Sequence, residues 1–370
     1  MARKSNKKQI VRVKKKSLTG PRKASAGLVR DLRSLIEQTR EAVGRSVNSA
    51  LVALYWQVGR RIRKDILKDE RAEYGREIVA TVSRQLVADY GGGFSRPNLF
   101  RMLRFAEVFP HEQIVSTLSR QLSWSYFVEI VPLEDDLQRE FYAEMCRIER
   151  WSVRTLRKKV SGMLFERTAI SKKPAELAKQ ELADLREGDT LTPDLVFRDP
   201  YFLDFLGLKD TYSEKDIESA ILREMEAFIL ELGVGFSFLA RQKRITVDDE
   251  DYYIDLLFFH RKLRRLVAID LKLGRFQAGD KGQMELYLRW LDKNERQKHE
   301  EPPIGLILCA GKSNEHVELL RLGRSGIRVA AYMTELPPRD LLRKKLHDAV
   351  RLARARLEAK DVRQTPRIRQ

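Results

Sequence analysis

The apolar residues of this chain change period part-way along it. Between about 27 and 168 they fall at helical spacing, as in Leu28, Leu32, Leu35 and Ile36, then Leu51, Leu54, Tyr55 and Val58, then Ile78, Val82 and Leu86. Beyond about 190, short β-rich runs alternate with helices. A 3.6-residue period buries one stripe of a helix, whereas a two-residue period buries one face of a strand, so the two stretches need different architectures. The expected fold class is therefore α followed by α/β: a helical N-terminal domain over 27–168 and a domain with a central mixed sheet over 191–345. At 370 residues the chain exceeds what one hydrophobic core usually serves. Residues 169–190 lose the strong apolar pattern, contain Pro174 and Gly188, and are expected to be a linker. Residues 346–370 return to an Arg- and Lys-rich helix or tail.

Charge narrows the partners. Lys and Arg outnumber Asp and Glu by 71 to 53, a formal charge of +18, which favours a polyanion because neutralised phosphates release condensed counterions. Nucleic acid is the leading partner, although membrane surfaces and acidic proteins attract similar patches. Residues 1–26 hold Arg3, Lys4, Lys7, Lys8, Arg12, Lys14, Lys15, Lys16, Arg22 and Lys23 with no acidic residue. They read as a disordered basic arm that grasps a nucleic-acid backbone or is simply solvated. The cysteines, Cys146 and Cys309, are far apart and lack metal-ligand spacing, as suits a reducing cytoplasm. No apolar run approaches the roughly 20 residues needed to span a bilayer, and no apolar segment follows the N-terminal charges. A soluble, unprocessed cytoplasmic protein is expected, with a homo-oligomer compatible with the sequence.

Within the helical half, Ile78–Tyr90 ends at Gly91-Gly-Gly93, after which Ser95 is placed to cap a second helix carrying Pro97 in its first turn and running to about Phe109. This pattern fits a helix-turn-helix whose second helix would offer Arg96, Asn98, Arg101 and Arg104 to nucleic acid, with Leu99, Phe100, Leu103 and Phe105 facing the core. An ordinary αα-hairpin with a solvated basic face fits as well. Farther on, Gln121–Phe127 and Arg150–Leu156 interleave aromatics with polar and basic residues at helical spacing, which favours core packing over base stacking.

The chemistry-bearing pattern lies in the second half. A helix over 213–232, with Glu218 at the edge of its apolar side, precedes a strand over about 236–247, a turn at Asp248–Asp251, and strands Tyr252–Phe259 and Arg265–Lys272. Three consecutive strands imply an antiparallel meander. The last two strands are apolar enough to be central, where an unpaired charge is costly, yet they contain Asp255 and Asp270. Lys272 lies two residues on and shares the face of Asp270. Paired carboxylates with an ammonium suit phosphodiester hydrolysis: the carboxylates bind Mg²⁺ or Mn²⁺, and Lys272 orients water or stabilises developing charge. Glu218 could supply another carboxylate. Gln283 and Tyr287 are one turn apart on the following helix and could reach the same sheet edge. An ordinary Asp–Lys ion pair with Asp255 facing solvent is the plainer alternative.

This order of elements, with Asp255 and Asp270-Leu-Lys272 on the second and third strands, resembles the PD-(D/E)XK nuclease superfamily and its restriction-endonuclease-like fold. The segments Arg241–Ile245, Tyr253–Lys262, Val267–Gly274 and Ile304–Cys309 make the chain similar to the YhcG family of bacterial nucleases, which join a helical domain to a nuclease domain. The resemblance implies a Mg²⁺-dependent nuclease acting on DNA, with Mn²⁺ able to substitute. It makes Asp255, Asp270, Lys272 and Gln283 the catalytic set and Glu218, Asp255 and Asp270 the metal ligands. Gln283-x-x-x-Tyr287 looks like the extra motif of resolvase-like members. The closer family favours Glu where this chain has Asp270, whose shorter side chain draws the ligand oxygen toward the sheet. Two other readings stay open: a catalytically silent nucleic-acid-binding or structural protein that retains the fold, and an N-terminal half that serves protein interaction or dimerisation.

Overall fold

The computed structural model describes residues 26–66, 72–208, 212–320 and 322–364. The basic arm over 1–26 therefore lies outside the described residues except for Ala26, as do the last six residues of the C-terminal tail. The N-terminal half is helical throughout: α1 (Ala26–Ile66), α2 (Ala72–Tyr90), α3 (Arg96–Val108), α4 (Glu112–Ser119), α5 (Trp124–Ile130), α6 (Asp136–Glu149), α7 (Val153–Ser161) and α8 (Leu164–Arg167). Val52 and Trp56 of α1, Phe105 of α3, Phe127 of α5 and Phe141 of α6 meet in its core. The Trp56 indole is buried without cost to its N–H, which donates to the Phe109 carbonyl at 2.7 Å. Helices α2 and α3 are joined through the Gly91–Gly93 turn anticipated from the sequence, with one 3₁₀ turn over Gly92–Phe94.

Segment 169–190 differs from the linker expected there. It contains α9 (Ala175–Gly188), whose Ala178, Leu182 and Leu185 are fully buried at positions i, i+4 and i+7. Its polar residues surround a narrow apolar stripe, which is why the segment reads as patternless. After α10 (Pro193–Val196) and β1 (Tyr201–Phe202), the helix expected over 213–232 is two helices, α11 (Glu214–Arg223) and α12 (Met225–Leu232), broken at Glu224. Ser213 and Asp216 form a reciprocal capping box that fixes the start of α11.

The remaining elements are β2 (Phe236–Val247), β3 (Glu250–His260), β4 (Arg265–Arg275), α13 (Ala278–Asn294), β5 (Ile304–Gly311), α14 (Asn314–Leu319), β6 (Ile327–Met333) and α15 (Arg339–Gln364). The six strands lie in the order β1-β6-β5-β4-β3-β2. β2, β3 and β4 form the antiparallel meander, and β4, β5, β6 and β1 pair in parallel, so the sheet is mixed. One face of β4, with Val267, Ile269 and Leu271, joins the same apolar cluster as the N-terminal helices. The other face, with Ala268, packs against Met284, Tyr287 and Leu288 of α13. By the two-residue period, Asp270 and Lys272 stand on the α13 face. Among the described residues, no helix is long and apolar enough to cross a membrane.

The packing of α1 on α3 turns on one glycine. A Cβ placed on Gly59 would lie 2.0 Å from the Met102 carbonyl oxygen, a backbone atom that cannot rotate away. Glycine in mid-helix costs up to about 1 kcal/mol in propensity, so its presence here is explained by the close approach. Gly59→Ala should destabilise the fold by about 1–3 kcal/mol, read as a lowered midpoint in urea denaturation. An unchanged midpoint would contradict this contact.

Candidate active site

The site forms where two paired strands part. β3 and β4 are in register from His260 opposite Arg265 to Leu256 opposite Ile269. Beyond that point β3 continues on β2 to Glu250, while β4 continues on β5. Asp255 and Asp270 are the first residues past the divergence. There the Leu271 N–H no longer has a ladder partner, and Asp255 supplies one: its Oδ2 accepts that N–H at 2.8 Å. Its Oδ1 accepts from Gln242 Nε2 at 3.0 Å. Asp255 is thus held from two sides before any ligand arrives.

Asp270 is 3% exposed. Lys272 Nζ stands 3.0 Å from its Oδ2 but without hydrogen-bond alignment, so this buried oxygen has ionic compensation and no hydrogen-bond donor. Burial pushes the Asp270 carboxyl up to about 7; Lys272 opposes the shift and Asp255 adds to it. Burial also raises Asp255, against the bonds from Leu271 and Gln242. For Lys272, burial alone would favour the neutral amine, but Asp270 outweighs it and the ammonium is held above its ordinary value. Lys272 also donates to Gln283 Oε1 at 3.3 Å. Gln283 donates to the Tyr287 hydroxyl at 2.5 Å, and that hydroxyl donates to the Tyr253 carbonyl at 2.9 Å. The sequence-derived Gln283 and Tyr287 therefore fix Lys272 to the open end of β3.

Glu218 arrives from α11 at one remove. Gln242 Nε2 lies 3.0 Å from Glu218 Oε2 and 3.0 Å from Asp255 Oδ1, so the amide stands between the two carboxylates. Glu218 Oε1 is buried, with Arg241 Nε at 3.3 Å but no aligned donor. Among the described residues no three His, Cys, Asp or Glu side chains lie close enough together to form a ready metal cluster. Two residues of this network escaped the sequence reading. Gln242 is neutral and sits in a strand of basic residues, with only its place in the Arg241–Ile245 segment to mark it. Glu214 stands one turn before Glu218, and its Oε1 accepts the Leu273 N–H at 3.0 Å, extending the same repair of the divergent strand.

A divalent cation fits these residues. Asp270 Oδ2 and Glu218 Oε1 are buried anionic oxygens without an aligned hydrogen-bond donor; each has one cationic side chain beside it and keeps lone pairs that a metal ion can take. All the oxygens concerned are hard donors of the kind Mg²⁺ and Mn²⁺ take.

The α3 residues behave differently from one another. Asn98 is engaged inside the fold, its Nδ2 donating to the Gly93 carbonyl and its Oδ1 accepting from Trp124 Nε1 at 3.1 Å. Arg104 pairs with Glu107 at 2.8 Å, and the Arg96 guanidinium lies 5.9 Å from the Phe100 ring centre. Phe100 is 39% exposed and not core-facing, because the buried stripe of α3 runs through Leu99, Met102, Phe105 and Ala106. Arg96 and Arg101 project without a side-chain hydrogen bond or ion pair among the described residues, and Arg96 alone of these two has an aromatic contact.

Residues 194–347 match the YhcG PDDEXK nuclease domain, and residues 31–167 match the DUF1016 N-terminal domain. The chain is 34% identical over 345 residues to YhcG of Escherichia coli (strain K12), a protein with a provisional nuclease designation, covering 84% of this chain and 91% of that protein. The chain belongs to the YhcG family of PD-(D/E)XK nucleases. The crystal structure of a repair endonuclease from Pyrococcus abyssi overlaps 35% of this chain and 50% of its own, with 18% identity and a TM-score of 0.25, too slight a likeness to add to the family assignment. Family membership makes nucleic acid the substrate class.

Proposed function

We propose that this YhcG-family chain is a Mg²⁺-dependent deoxyribonuclease whose catalytic residues are Asp255, Asp270, Lys272 and Gln283. The observation that carries this reading is the buried Asp270 carboxylate, paired among the described residues only with the Lys272 ammonium, beside Asp255 at the point where β3 and β4 separate. Asp255 and Asp270 would hold the cation, with Glu218 joined to them through Gln242. When bound, the cation supplies Lewis-acid polarisation of the phosphoryl oxygen and acidifies the attacking water.

The side chains supply the rest. Lys272 stays protonated beside Asp270, so it offers donors to an attacking water or to the charge that develops on the phosphate. Gln283 and Tyr287 hold that ammonium against the sheet and limit its rotation. Gln242 keeps Asp255 and Glu218 in place by donating to both. The net positive charge of the chain gathers the polyanionic substrate around this acidic pocket.

The test is a panel of single-stranded, double-stranded and branched DNA with RNA controls, incubated with Mg²⁺ or Mn²⁺, beside Lys272→Ala. Wild type should cleave DNA only with divalent cation. Lys272→Ala should lower the rate by about 10²–10³-fold while retaining stabilisation by Mn²⁺ in thermal melts. Wild type inert on every substrate would leave a nucleic-acid-binding protein that retains the fold, and cleavage of RNA alone would overturn the choice of DNA.

A further inference from the structure

At the junction of the helices with the sheet, two concavities of about 640 Å³ and about 560 Å³ run into one another, sharing Gln121, Arg147 and Arg150 in their walls. Their linings bring together Arg45 of α1, Arg120 after α4, Arg147 and Arg150 at the end of α6, and Lys262 of the β3–β4 turn. The two acidic side chains in the walls are already engaged. Asp189 pairs with Arg147 at 2.5 Å, and Glu149 accepts from Trp151 Nε1 at 2.7 Å. Lys262 donates to the Ile148 carbonyl at 2.6 Å, and Arg45 reaches Glu41 only at 3.8 Å. Arg120 and Arg150 are exposed and have no hydrogen bond or ion pair among the described residues.

A second, independent feature marks Arg150. It closes α6 in the left-handed conformation, at φ 52° and ψ 42°. Glycine or asparagine ordinarily occupies that position, because a Cβ there crowds the backbone. Arg150 keeps this conformation with its guanidinium in a basic trough and no internal partner among the described residues, so nothing inside the fold accounts for an arginine there. The neighbouring aromatics are not the binding element: Trp151 and Phe127 are buried, and the Tyr126 hydroxyl donates to the Trp151 carbonyl at 2.7 Å. Tyr126 and Trp151 reach the trough wall with their polar groups already bonded, which leaves Arg120 and Arg150 as its unpaired charged side chains among the described residues.

We propose that this trough is a DNA-backbone site, separate from the catalytic pocket, in which Arg120 and Arg150 contact phosphates and Arg45 and Lys262 add to the positive field, while Arg147 is held by Glu144 and Asp189 as part of the wall. The proposal rests on the nuclease reading above. Guanidinium forks suit phosphate oxygens, and the trough is built from both halves of the chain, so one duplex would bridge them. From Lys262 back to Asp255 is seven residues of β3 and its turn, about 20 Å at strand rise. That separation corresponds to about six base-pair steps of a duplex. Substrate would thus be held at a distance from the bond being cut.

The test measures binding of a labelled DNA duplex of about 30 base pairs by fluorescence anisotropy, in EDTA, at a series of salt concentrations. Full-length wild type, Arg120→Ala/Arg150→Gly and Arg150→Lys are compared, with Mg²⁺-dependent cleavage by wild type measured in parallel. The double variant should bind more weakly, with the slope of log K against log salt shallower by about 2. Its melting temperature should not fall, since glycine relieves the strain at position 150, whereas Arg150→Lys should keep most of the affinity. If wild type cleaves and binds while the double variant binds with an unchanged slope, the trough is overturned and the nuclease reading stands. If wild type neither binds nor cleaves DNA, both are overturned.

Discussion

Asp270→Asn should abolish cleavage and, at the same time, raise the melting temperature of the metal-free protein. The two effects share a cause. Asp270 is buried beside Asp255, and burial lifts its carboxyl to about 7, Lys272 opposing and Asp255 reinforcing the lift. In the unfolded chain the same group has an ordinary carboxylate value, so between that value and about 7 the folded state binds more protons than the unfolded state. Stability from this group is therefore fully present only below the unfolded value, falls as pH rises through mild acid and is lost by the folded value. Above it the ionised carboxylate costs up to about 4 kcal/mol, shared with Asp255 because the two titrate together. Asn is nearly isosteric and neutral at every pH. In EDTA the variant should melt a few degrees above wild type at pH 8, with the gap narrowing as pH falls and closing at about pH 4. Cleavage should drop by at least about 10³-fold, and Mn²⁺ should no longer raise the melting temperature, since the cation's stabilisation depends on that carboxylate. A variant that melts below wild type at pH 8, or that still cuts, would remove Asp270 from the site.

The aspartates were legible in the sequence for the same reason that they are costly. A carboxylate inside Tyr253–Phe259 or Val267–Leu271 interrupts runs that otherwise belong to a core, and a two-residue period is enough to put Lys272 beside Asp270. The order of elements in the second half was legible too, because β2, β3 and β4 carry their own turn signals at Asp248-Asp249 and around Lys262. What joins these residues was not. Gln242 bridges Glu218 and Asp255 from a strand position with φ 43°, a left-handed backbone that no local pattern announces. Glu214 matters because β3 and β4 part at Leu256 and Ile269, so that Leu273 needs an acceptor, and strand divergence is a tertiary property. The same limit explains α9, whose three buried apolar residues are outnumbered by charges that face solvent. It also explains Asn98, whose amide looks available on a helical wheel and is spent on Gly93 and Trp124.

Glu231→Ala should unfold the chain more readily than any other single substitution considered, by about 3–5 kcal/mol. Glu231, on α12, is shared by two buried arginines: Arg167 of α8 donates to its Oε1, and Arg198 donates to its Oε2 at 3.2 Å. Its Oε1 also accepts the Phe202 N–H of β1 at 2.9 Å. The arginine side chains are only 3% and 4% exposed, so neither can turn to water if its partner is removed. Arg167 has secondary acceptors in the Gly162 and Pro200 carbonyls and lies 3.8 Å above the Phe202 ring, but these do not neutralise its charge. Burial would raise the Glu231 carboxyl; Arg198 and Arg167 overcome it and hold it below the ordinary range. Its contribution is accordingly complete at neutral pH and lost as pH falls through that depressed value. A double-mutant cycle with Arg198→Ala separates the ion pair from lost packing: the second substitution should restore part of the stability lost in Glu231→Ala. Because the triad ties α8 to α12 and β1, its failure would release the helical half from the sheet that carries Asp270. A Glu231→Ala melting curve superimposable on wild type would place that joint elsewhere, in the apolar cluster shared by the helices and β4.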